Sequence, residues 1–149
     1  MPNMEIKTIS FTELFNHPDF TAMCGEYLDE SGNADIGSAL PDKALYLKQE
    51  SFGTCFCIGA FDRSILVGFA VLTLREHPHY SKTIGACDAL FVRKEARKGY
   101  AGLKLIRAVQ EMGKTKGAAG VVFSAPFGSR LSKLFDRLFV QTDCVYWAA

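Results

Sequence analysis

From Glu5 to Phe11 (EIKTISF) polar and apolar residues alternate, the period of a half-buried strand. Leu14, Phe15, Phe20, Met23 and Tyr27 then recur at helical spacing and predict one helix. SGNADIGSALP breaks that pattern, and Pro41-Asp42 opens a second, short helix (PDKALYLKQE) that should stop before Gly53. TCFCIGAF and SILVGFAVLTLR, on either side of Asp62-Arg63, predict two strands across a tight hairpin. After a loop, HPHYSKT, a third apolar run extends from Ile84 to Val92 (IGACDALFV). Leu105, Ala108, Val109 and Met112 follow on one helical face, with Lys104, Arg107, Glu111 and Lys114 opposite. A basic last turn and Gly117 should end that helix. AGVVFSAP reads as a buried strand, Ser129 to about Leu138 as a helix, and FVQTDCVYW as a last strand. The order β-α-α-β-β-β-α-β-α-β predicts an α/β fold with a mixed sheet, of α+β character, and no repeat or low-complexity segment interrupts it.

The chain has 149 residues, 48% of them apolar, enough for one core, so a single domain over 1–149 is expected. Lys plus Arg (17) nearly balances Asp plus Glu (16), so no whole-molecule field draws the protein to nucleic acid or membrane. Ile65 to Leu74 is too short to span a bilayer and the N-terminus lacks a signal-like segment, so a cytoplasmic protein is expected. Cysteines at 24, 55, 57, 87 and 144 show no paired CxxC spacing; they read as buried thiols, with neither a disulfide framework nor a metal site.

Against that balance, VRKEARKGYAG (Val92–Gly102) concentrates cations between a strand and the start of a helix. Free backbone N–H groups and the helix dipole make such a joint an anion site. Gly99 and Gly102 would let backbone approach a phosphate, and Arg97 and Lys98 would add charge. The plain alternative is a solvated charged turn opening a surface helix. A G-x-G-x-x-G fingerprint is absent, and Gly113-Lys114-Thr115 fails as a P-loop because the required earlier glycine is Ala108.

The element order and this joint resemble the GNAT superfamily of N-acetyltransferases, whose R/Q-x-x-G-x-G/A signature cradles the pyrophosphate of acetyl-coenzyme A. The resemblance is carried by PHY (Pro78–Tyr80), DALFV, ARKGYAGLKLI and FSAPFGSRL, a combination similar to small members encoded by tailed phages. Counting from Arg97 puts Tyr100 at the first signature glycine, whereas counting from Gly99 puts Ala96 in the arginine slot. The loop is expected to run over Arg97, Lys98, Gly99, Tyr100, Ala101 and Gly102 in either register.

The resemblance implies that the strand ending Leu90-Phe91-Val92 splays from the one ending Phe123-Ser124, with pantetheine in the gap. Main chain at Leu90, Phe91 and Val92 would then face the thioester carbonyl, with Ser124 on the opposite wall. Asp88 stands where many relatives carry a Glu and is the candidate base, expected to be partly buried between strands; a structural ion pair is its alternative role. Glu26, Asp29 and Glu30 on the first helix are rivals, and His77 and His79 are weaker ones. Phe135 occupies the place of the family's usual acid tyrosine and cannot donate a proton, which leaves water, Tyr146 or Cys144.

The resemblance therefore implies an N-acetyltransferase moving an acetyl group from acetyl-coenzyme A to an unidentified primary amine in a ternary complex. No metal is implied, and a homodimer is one option, since related domains are often dimers. A non-catalytic acyl-coenzyme A binding protein is the alternative that Phe135 motivates. A nucleic-acid binding or modifying protein is disfavoured by the near-zero net charge and the lack of an aromatic-basic platform.

Overall fold

The computed structural model describes residues 4–31 and 41–149, so most of the SGNADIGSALP break lies outside the described residues. β1 (Met4–Ile9) is followed by α1 (Phe11–Asn16) and α2 (Phe20–Ser31), then α3 (Lys43–Ser51). The expected single helix is thus two. Pro18 disfavours helical geometry at the residue before it, and His17 is extended, with φ −70° and ψ 132°, ending α1. Ser10 caps α1 by accepting the Glu13 N–H (3.0 Å), and Asp42 caps α3 by accepting that of Leu45 (3.0 Å), so Pro41 precedes the cap instead of sitting in the first turn.

β2 (Cys55–Asp62), β3 (Ile65–His77) and β4 (Lys82–Val92) form an antiparallel meander with β1, and β5 (Val121–Phe123) adds parallel to β4. The β2–β3 turn is Arg63-Ser64, both at positive φ (51° and 74°), the handedness that matches strand twist in two-residue hairpins. A 3₁₀ turn (Lys94–Ala96) leads from β4 to α4 (Ala101–Thr115). α4 ends as its sequence predicts: Gly117 takes φ 88° and Ala118 donates back to Gly113 O (2.9 Å). α5 (Arg130–Leu138) follows β5.

The sheet has two unlike faces. One packs Ala60, Ala70, Leu72 and Cys87 against Leu105 and Val109 of α4. Small residues bring helix and sheet close: a Cβ on Gly113 would lie 2.5 Å from Val121 Cγ2. The other face carries Phe61, Phe69 and Phe91 under Phe11, Leu14, Phe20 and Met23 of α1, α2 and the start of the chain's helical segment. Burial of these side chains supplies the main driving force, about 1.5–3 kcal/mol for each large one.

The C-terminal expectations need correction. FVQTDCVYW forms no strand, and Val145 and Tyr146 are 93% and 85% exposed. Its polar triplet Gln141-Thr142-Asp143 and apolar run Cys144–Trp147 give no period of two, and three-residue β5 offers a short edge. β5 is also shorter than AGVVFSAP, with Val122 exposed. Cys55, Cys57 and Cys87 are buried thiols, whereas Cys24 is half-buried and Cys144 exposed.

Candidate active site

β4 and β5 pair only at Gly85–Cys87 against Val121–Phe123, yet β4 runs on to Val92. From Asp88 onward its β5-side edge is unpaired, and the strands part there. Arg93 donates its N–H to Val67 O on β3 (2.8 Å). By strand alternation Leu90 and Val92 turn their N–H groups the other way, into the gap, while the backbone of Phe91 faces β3. Ser124 lies just past β5 and is exposed.

Asp88 sits at a β-bulge. Val71 pairs with Ala89 and Leu72 with Cys87, which leaves Asp88 without an opposite residue. A bulge re-aims side chains: Cys87 packs on the α4 face, Ala89 on the aromatic face. The extra residue puts Asp88 on the rim of a cavity on the aromatic side. It is exposed, contrary to the expected burial, and has no hydrogen-bond or ion-pair partner among the described residues.

That cavity, of about 330 Å³, lies between the sheet and α1, α2 and α3, walled by Phe15, Phe20, Tyr27, Tyr46, Phe69 and their neighbours. The rings form a connected set: Phe15 to Phe20 5.3 Å, Phe20 to Phe69 5.6 Å, Tyr27 to Phe69 5.9 Å between centroids. Burial pushes the Tyr46 phenol up to about 12, with the neighbouring Cys55 and Asp88 adding to it. Tyr27 is raised mainly by burial and further by Cys87 and Asp88. Both stay O–H donors at neutral pH. The helical stripe through Tyr27 reads as core, so nothing in the sequence distinguishes a ring that packs from one that lines a space.

On the other side of the gap stands the cationic joint. Tyr100 is the N-cap of α4 and makes no side-chain cap. The N–H groups of Lys98, Tyr100, Ala101, Gly102 and Leu103 have no acceptor among the described residues, and the space where a Gly102 side chain would extend is open. These are the features a diphosphate needs. Arg97 behaves differently from its expected role. Its Nε donates to Val92 O (2.7 Å), its guanidinium pairs with Glu30 (2.6 Å) and lies over the Phe91 ring. It ties α2 to the end of β4. Such a partly exposed pair is worth about 1 kcal/mol at most, little enough for a bound phosphate to displace.

The rival bases are committed elsewhere or distant. Glu26 pairs with Arg93 (3.2 Å) and Glu30 with Arg97; Asp29 is exposed on α2. His77 and His79 pack against Tyr80, tilted and edge-on, at the Lys82 end of β4, away from the splayed end. Phe135 packs on Phe123 and Phe139 (centroids 5.4 and 5.9 Å) beside the last residue of β5. Tyr146 and Cys144 are exposed in the tail, so Cys144 is not the buried thiol expected. Among the described residues no helix is long and apolar enough to cross a membrane, and no His, Cys, Asp and Glu cluster could hold a metal.

The family model for Acetyltransferase (GNAT) proteins matches residues 9–131. Solved structures share the fold at low identity. An aminoglycoside acetyltransferase from an uncultured soil metagenomic sample superposes with a TM-score of 0.78 at 16% identity, covering 98% of this chain and 97% of that one. A ribosomal-protein-alanine N-acetyltransferase from Brucella melitensis biovar Abortus 2308 gives 0.74 at 16%, covering 98% and 97%. The aminoglycoside N-acetyltransferase AAC(6')-Iy in complex with CoA gives 0.74 at 21%, covering 98% and 93%. No curated protein matches the sequence.

Proposed function

The chain belongs to the acetyltransferase (GNAT) family, and from that premise we propose that it moves an acetyl group from acetyl-coenzyme A directly to a primary amine, with Asp88 as base. The observation that carries this reading is the parting of β4 from β5 at Asp88, with free N–H groups of α4 on one side and an Asp88-rimmed cavity on the other. Acetyl-coenzyme A supplies the activated acyl group as a thioester. The residues present fit it: the turn Arg97–Gly102 offers backbone donors to the diphosphate, and Leu90 and Val92 offer N–H groups along the gap.

An amine must lose a proton before it can attack a carbonyl, because the ammonium has no lone pair. Asp88, unpaired and facing the cavity, accepts that proton directly or through one water. Gap-facing N–H groups of β4 would stabilise negative charge developing on the carbonyl oxygen. Phe135 carries no proton to give, so a leaving thiolate would be protonated by water or depart as the anion. Tyr27 and Tyr46, lining the same cavity as Asp88, are the phenols that would donate a hydrogen bond there.

The test has two arms: calorimetric titration with coenzyme A, and release of free thiol from acetyl-coenzyme A over a panel of primary amines. Binding in the micromolar range with amine-dependent thiol release is expected. Binding without release from any amine would leave a non-catalytic acyl-coenzyme A binding protein; no binding would end the proposal.

A further inference from the structure

We propose that the acceptor is a small monoamine on an apolar, ring-sized body, and that this chain does not acetylate polycationic amines. The inference rests on the transferase reading and names the substrate class of the same site.

The cavity holds the argument. Its walls are phenyl and phenol rings and leucines, and its only carboxylates among the described lining residues are Asp88 and Asp42. Asp42 is exposed, and its Oδ1 accepts the Leu45 N–H as the cap of α3, which holds this carboxylate at the α3 end of the space. Of the other acids on the surrounding helices, Glu50 accepts the Phe11 N–H (2.8 Å), Glu26 and Glu30 hold Arg93 and Arg97, and Asp29 is exposed on α2 and does not line the cavity. Asp88 is thus the lining carboxylate with no partner among the described residues, and it stands where the gap begins.

One anion can receive one ammonium. A second or third ammonium brought among those rings would lose its water with only the capping Asp42 at the exposed edge to meet it, so each is disfavoured. Polyamines and aminoglycosides carry several such groups. An apolar body gains instead, in proportion to the surface it removes from water. Volume sets the scale: an apolar cavity of about 150 Å³ holds benzene, so about 330 Å³ takes a ring with a short alkyl arm. The arm reaches from the rings to Asp88 and delivers the nitrogen to the gap. Tyr27 and Phe69 line the same space and offer an ammonium aromatic surface.

The experiment measures kcat/KM with acetyl-coenzyme A for 2-phenylethylamine, 3-methylbutylamine, spermidine, sisomicin and a short peptide with N-terminal Phe. The two apolar monoamines should exceed spermidine, sisomicin and the peptide by at least about tenfold, the ratio that 1.4 kcal/mol confers. Equal or better turnover of any of those three would overturn the substrate class while the transferase reading stands. Failure of acetyl-coenzyme A to bind would sink the transferase reading itself, and calorimetry reports that separately. Two variants sharpen the result. Ala89→Leu, which fills the cavity floor, should raise KM for 2-phenylethylamine about tenfold or more with coenzyme affinity unchanged. Leu45→Lys, at a mouth position 49% exposed and so safe for folding, should lower kcat/KM for that amine several-fold by placing a like charge at the entrance. Parental KM values for 2-phenylethylamine in both variants would put the acceptor elsewhere.

Discussion

The two faces of the sheet are built from the same strands and do opposite jobs. On one, α4 seats Leu105 and Val109 onto alanines and glycines, and helix and sheet close on each other. On the other, aromatic rings beneath three helices of at most 12 residues leave a space of about 330 Å³. Large rings on short helices cannot interdigitate as fully as Leu and Val on a long one with Ala and Gly. A sheet can thus keep a rigid back and a receptive front, and the bulge at Asp88 decides which residue is delivered to the front.

The largest effect should come from breaking the front. Asp88→Asn keeps the shape of the bulge and removes the proton acceptor, so amine acetylation should fall by about 10² to 10⁴ with coenzyme binding retained. The acid limb of the parent's pH–rate profile should flatten in the variant. Parental turnover across the pH range would show Asp88 to be structural.

Breaking the back should cost stability instead. Leu105→Ala removes a fully buried side chain from the closed face and should destabilise by about 3 kcal/mol, lowering Tm by about 10 °C. Thermal unfolding followed by circular dichroism measures this. A loss below about 1 kcal/mol would mean that this face is not the packed one.

The back was also the more legible in the sequence. Leu105, Val109 and Met112 repeat at helical spacing, and Gly117 stops the helix where the pattern stops, because each signal is local and reinforced by its neighbours. The pairing of β2 with β3 was readable for the same reason. Asp88 could be named as a candidate, but its exposure could not, since a bulge depends on register with β3 and no local pattern marks it. The commitment of Arg97 to Glu30 joins residues far apart in the chain, and a cation-rich loop looks alike whether its arginine turns inward or out. The split at Pro18 was there to be read: a Pro inside a helical stripe is a stop signal that the stripe from Leu14 to Tyr27 obscured.

Between front and back lies the α4 N-terminus, which Gly102→Val tests. Open space around Gly102 means that the side chain meets no protein atom, and Val is the better helix former of the two by a few tenths of a kcal/mol, so the fold should hold with no loss of stability. The cost should appear in the coenzyme, whose diphosphate would meet the added methyls. Affinity should fall about tenfold, or 1.4 kcal/mol. Calorimetry giving equal affinity for variant and parent would move the diphosphate off this turn.

The smallest effect is expected at Phe135, which belongs to neither face fully. Its ring is half-buried against Phe123 and Phe139, one element away from where β4 and β5 part. Phe135→Tyr adds a hydroxyl to a ring with an edge toward solvent, so stability should change by less than about 1 kcal/mol. If the ring reaches the departing sulfur, the hydroxyl supplies the proton donor that the chain lacks there. A thiolate leaves readily without protonation, so turnover should hold or rise by well under the roughly hundredfold lower bound of general-acid catalysis. Single-turnover rates with the apolar monoamine separate this step from product release. A well-folded Phe135→Tyr protein that no longer binds acetyl-coenzyme A would show instead that the position is packed core with no room for a hydroxyl, and that the aromatic cluster closes the gap from the β5 side.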